Sequence, residues 1–146
     1  MKKLLLALAL GLASVACNPG NSASSVATTP TTPAPTVPIT SETFSGTVDP
    51  AGRAIHQFTI TLSGGQINVT LTSAGPPATI FMGLGVGLFS SVDGSCSLLT
   101  NGSVLTPAGA TAQLSGTLNA GSYCVAVFDA GNQVAPVSYS VIVNHY

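Results

Sequence analysis

The sequence predicts an all-β domain over residues 41–146, an antiparallel β-sandwich or barrel of seven to eight strands, following a disordered linker. Three observations carry that prediction. Apolar residues recur at every second position in short stretches, the period of a strand with one buried face. Turn residues break those stretches about every ten residues, a spacing that suits sandwiches and barrels. The composition is rich in Gly, Ser, Thr, Ala and Val, which favours strands and short turns over helices.

The elements follow in order. His56, Phe58, Ile60 and Leu62 alternate with Gln57, Thr59 and Thr61. Gly64-Gly65 marks a turn, and Ile67, Val69 and Leu71 then alternate with Asn68, Thr70 and Thr72. Together these predict a β-hairpin with one buried face. Gly75-Pro76-Pro77 ends it. From Ile80 to Ser90, the residues Ile80, Met82, Leu84, Val86 and Leu88 share one face. Gly83, Gly85 and Gly87 share the other, which predicts close packing of another backbone or a long side chain. The glycine spacing does not fit a phosphate-binding loop, and neither a lysine nor a helix follows it. Asp93-Gly94 and Asn101-Gly102 are turn signals. Leu114, Gly116 and Leu118 resume the period, Leu118 to Tyr123 leads into Cys124 to Phe128, and Val137, Tyr139, Val141 and Val143 mark the last strand.

Charge excludes several functions. Only 5% of residues are charged, against about a quarter in ordinary domains. Two of the three basic residues, Lys2 and Lys3, lie at the extreme N-terminus. Without that segment, Arg53 stands against Glu42, Asp49, Asp93 and Asp129, a formal charge of −3. Nucleic-acid binding needs several cations to displace counterions from phosphates, so nucleic acid is excluded as a partner. A basic membrane-surface patch is excluded on the same ground.

Residues 1–16 read as an export signal. Lys2 and Lys3 form a positive start, Leu4 to Leu12 an apolar run, and Ser14-Val15-Ala16 a small-residue cleavage site. That run is shorter than the about 20 residues a transmembrane helix needs. Cys17 follows directly, and the segment resembles the lipobox of bacterial lipoproteins, with Ser14 where that family usually carries Leu. The resemblance implies a diacylglycerol on Cys17 and a membrane partner through that anchor. Asn18 in place of Asp after the cysteine implies the outer membrane rather than inner-membrane retention. With Cys17 lipidated, Cys96 and Cys124 remain, to pair or to stand as buried thiols. Export permits pairing, and closing a loop of that length adds about 3–4 kcal/mol in the chain-entropy model.

Residues 17–40 hold the cysteine and a linker of Ser, Thr, Ala and Pro, including Pro19, Pro30, Pro33, Pro35 and Pro38, with no charged or aromatic residue. Such a segment buries too little apolar area to offset its ordering entropy. It is expected to be an extended stalk.

The domain itself resembles bacterial pre-peptidase C-terminal domains. The likeness is carried by Phe44-Ser45-Gly46-Thr47-Val48, His56-Gln57-Phe58-Thr59-Ile60, Gly65-Gln66-Ile67-Asn68-Val69-Thr70-Leu71, Ala120-Gly121-Ser122-Tyr123, and Ser138-Tyr139-Ser140-Val141. It implies a jelly-roll-like sandwich accessory to secreted proteins, without catalysis of its own. The family's Asp-rich strand is replaced here by Gly83-Leu84-Gly85-Val86, so the resemblance carries no calcium site. Tyr123 is similar to the tyrosine corner of sandwich folds and reads as structural.

Chemistry is sparse. His56 is in phase with Phe58 and Ile60 and reads as a sandwich-face residue, and His145 beside the C-terminus reads as mobile. No nucleophile-elbow motif is present. The four acids read as turn or strand-start residues rather than a glycosidase pair, and one acid per loop argues against calcium at Asp93 or Asp129. No cluster fits zinc. The sequence therefore predicts no catalytic residues, no metal and no cofactor. The expected role is a binding or scaffolding sandwich for an envelope protein or glycan, with Phe89 and Tyr146 as the aromatic candidates for glycan. A structural coat is the alternative, and a small hydrolase a third reading.

Overall fold

The computed structural model describes residues 37–146. It contains eight strands: β1 (Thr40–Val48), β2 (Arg53–Ile60), β3 (Gly65–Gly75), β4 (Met82–Phe89), β5 (Cys96–Thr106), β6 (Leu114–Leu118), β7 (Gly121–Asp129) and β8 (Val137–His145). Four form one antiparallel sheet in the order β1-β8-β3-β6. The other four form a second in the order β2-β7-β4-β5. This alternation of the chain between two four-stranded sheets is a jelly roll.

The core lies between the sheets. Inward residues of β8 (Val137, Val141, Val143) and of β7 (Val125, Val127) are at most 1% exposed. Leu71, Met82 and Leu84 fill the centre. Valine is the commonest core residue, in keeping with the strong strand preference of β-branched side chains.

The expected hairpin of residues 56–62 and 67–71 does not form. β2 pairs with β7, whereas β3 pairs with β8 and β6 in the other sheet. Gly64, at φ 75°, does reverse the chain, but the reversal carries it from one sheet to the other. Both strands have an apolar face, and opposing the two faces buries both. The chain-adjacent strands that do pair are β4 and β5, across the Asp93-Gly94 turn. Asn101-Gly102, expected to separate strands, lies inside β5. Leu98 and Ser103 pair with Gly87 and Gly85, so residues 99–102 bulge out, with Asn101 at φ 59°.

The glycine face of β4 is covered as expected, on the outside of the second sheet. A Cβ on Gly83 would strike the Phe128 ring, one on Gly85 would come within 2.7 Å of Leu98, and one on Gly87 would strike the Ser97 carbonyl. Arg53 lies over the far side of Phe128, 5.4 Å from the ring centre. Cys96 and Cys124 form a disulfide, with Cα atoms 5.8 Å apart. It links β5 to β7 past the intervening β4, and its cysteines pack with Phe89, Leu98 and Phe128. Leu88, expected on the apolar face of β4, is half exposed at the strand's end.

A candidate binding site at the loop end

The described chain begins at the end of the sandwich that holds Val37, Leu62 and Tyr146. The opposite end carries four loops, residues 49–52, 130–136, 76–81 and 107–113. Asp129, where β7 stops, ties the first two together. Its Oδ1 accepts N–H bonds from Gly131 (2.8 Å), Asn132 (3.1 Å) and Gln133 (3.2 Å). Its Oδ2 accepts the Ala51 N–H at 2.8 Å, and the Asp129 N–H reaches the Gly52 carbonyl at 3.1 Å. The Ala51 N–H, then those of Gly131, Asn132 and Gln133, hold this carboxyl below its ordinary value, against the opposing effect of desolvation. A carboxylate accepting several backbone N–H bonds favours its charged form.

The third loop is held by Asn132, whose Nδ2 donates to the Phe81 carbonyl at 3.1 Å. Gln133 is buried, with Nε2 3.1 Å from the Met82 sulfur, and its Oε1 has no partner among the described residues. These bonds frame an apolar cleft of about 270 Å³ lined by Pro76, Pro77, Ile80, Phe81 and Val134. Phe81 is 51% exposed and Val134 98% exposed. Large apolar side chains are held outward here on fastened loops, a feature that binding surfaces share.

The two histidines lie elsewhere, along the seam between β1 and β2. His145, expected to be mobile, is instead buried at the end of β8. Its Nε2 lies 2.8 Å from Glu42 Oε1, and its Nδ1 is buried without a partner among the described residues. Pairing of Thr40 with His145 closes the ladder over it, so nearness to the C-terminus brings no mobility. His56 lies where its strand phase put it. Its ring stacks on Phe44 at 4.8 Å, and its Nε2 is 2.6 Å from the Tyr139 hydroxyl. Burial lowers the His56 pKa and raises that of Tyr139, so it favours the neutral form of both groups. Both Nε2 atoms are thus engaged inside the fold, and neither is recorded against a serine or threonine hydroxyl.

The remaining expected positions scatter. Tyr123 is buried and its ring lies over Phe58 at 6.0 Å. Tyr139, not singled out from sequence, carries the recorded phenol bond, and Gly46 opposite leaves room for it. Phe89 is half-buried against the disulfide cluster, while Tyr146 lines a shallow groove with Leu62. Asp93 Oδ1 accepts the Ser95 N–H within its own turn. Among the described residues, no three His, Cys, Asp or Glu side chains meet. Cys17 lies outside the described residues.

Strand order and loop-end cleft define a jelly-roll sandwich with a fastened apolar tip. No family model matches the chain, and no curated protein matches it. Among solved structures it is similar to PliG of Aeromonas hydrophila, a periplasmic inhibitor of g-type lysozyme, at a TM-score of 0.46 and 15% identity, over 73% of this chain and 86% of that one.

Proposed function

We propose that the protein is an exported envelope lipoprotein whose sandwich is a non-catalytic binding module for a protein partner. In this reading residues 1–16 are removed and Cys17 carries the lipid in the outer membrane. Residues 18–40 are the stalk, and residues 41–146 are the displayed domain. The observation that carries the binding role is the loop-end cleft: Phe81 and Val134 stand in solvent on loops fixed through Asn132 and Asp129. Rigid apolar anchors lose little entropy on docking, and such anchors dominate interface energies. The described chain begins at the other end, so residues 37–40 leave the cleft uncovered. A protein suits it better than a glycan, because Phe81 is the one aromatic in a lining otherwise built mainly of proline and aliphatic residues, and Phe89 is occupied by the disulfide cluster. The engagement of both histidines in internal bonds supports a non-catalytic reading.

The test has two arms on the full-length protein in its membrane. Cys17→Ser is expected to release it to the soluble fraction, and retention would contradict the anchor. A Phe81→Ser/Val134→Ser variant is expected to lose a saturable protein partner that the wild type captures from envelope extract. Equal capture by both would contradict the site.

A further inference from the structure

A second surface lies on the side of the sandwich where β6 and β5 form the sheet edges. An unpaired strand edge is a template for another strand, and proteins guard such edges with charges, prolines or bulges. Three of the four edges here carry a guard or a break. β1 has the inward Glu42, β2 has Arg53, and β5 has the bulge at residues 99–102. β6, Leu114-Ser115-Gly116-Thr117-Leu118, has none of these, and its five-residue length is its one protection. Beside it opens an apolar cleft of about 180 Å³, floored by Ile67, Val69, Val86, Leu114 and Leu118.

β6 also has the same chemistry in both directions about Gly116. An antiparallel two-fold pairing sets Leu114 against the partner's Leu118, and Ser115 against the partner's Thr117. Gly116 then meets the partner's Gly116, and nothing stands within 4 Å of where its Cβ would be. A two-fold interface requires such self-complementarity. We propose that β6 is a homodimer edge, pairing with β6 of a second copy to continue the β1-β8-β3-β6 sheet across the two-fold axis. The two clefts then face each other, and the leucines of each copy cover the other's floor. A five-residue ladder gives a weak, concentration-dependent dimer. The surface is separate from the loop-end cleft and does not depend on the role assigned there.

Sedimentation of the full-length protein in excess detergent, over a wide concentration range, tests this. The wild type is expected to show a reversible monomer–dimer equilibrium. S115K/T117K sets like charges directly opposite each other at two places and is expected to weaken dimerisation about tenfold. S115K/T117E sets opposite charges at the same two places and is expected to dimerise at least as well as wild type. Circular dichroism melts establish that all three chains are folded. A wild type that stays monomeric throughout overturns the proposal, and so does an equal effect of the two variants.

Discussion

Asp129 joins two loops through four backbone N–H bonds. Asp129→Ala leaves those donors to water and frees the loops. Amide hydrogen exchange at Ala51, Gly131, Asn132 and Gln133 is expected to speed up severalfold, with the core strands unchanged. Because folding lowers this carboxyl's pKa, its stabilising effect is full above the ordinary value of 3.8. It is lost as the pH falls through the folded-state value, since the unfolded chain takes up the proton first. His56 behaves in the related way of a buried neutral base. Burial holds its pKa below 6.5, so between the two values the unfolded state binds more protons and stability falls as the pH drops. An NMR titration is expected to place the His56 midpoint below 6.5, and His56→Gln is expected to reduce the loss of melting temperature on acidification from neutrality. Little of this was legible beforehand. Asp129 read as a turn acid, which is what it is, but four N–H groups converging on one carboxylate depend on loops distant in sequence. His145 read as a loose terminus because only the pairing of β1 with β8 reveals that it is enclosed.

Among the elements, β4 was the most legible and also shows where legibility stops. Three glycines in phase announced that something must pack against them. Which groups do so, Phe128, Leu98 and the Ser97 carbonyl, follows from the neighbours β7 and β5. Gly83→Ala places a methyl in the Phe128 ring and is expected to destabilise by about 1–3 kcal/mol in a denaturant titration. Combining it with Phe128→Ala is expected to cost less than the two separately, because the second change removes the obstacle to the first. The hairpin expected from residues 56–71 failed for a general reason. Period-two alternation specifies a strand and its buried face, but not which strand lies beside it.

Across the whole molecule, the fold class followed from turn spacing and alternation. The two-sheet order did not, because seven or eight half-buried strands suit a sandwich or a barrel equally. The Cys96–Cys124 bridge closes a 28-residue separation across β4. Replacing both cysteines by serine is expected to lower unfolding stability by about 3–4 kcal/mol, measured by denaturant titration. The binding role rests on asymmetry between the two ends of the sandwich. One end holds Val37, where the described chain begins, and the other holds Phe81 and Val134 on tied loops. Val92 supplies an internal control, being 96% exposed in the β4–β5 turn at the opposite end from the cleft. The most direct measurement is in-cell photocrosslinking of the full-length protein, with a photoreactive phenylalanine analogue at position 134 or at position 92. A discrete, saturable protein adduct from position 134, absent from position 92, is the predicted result. Identical adducts from both positions, or none from position 134 with the protein folded and in the membrane, would contradict a loop-end binding module.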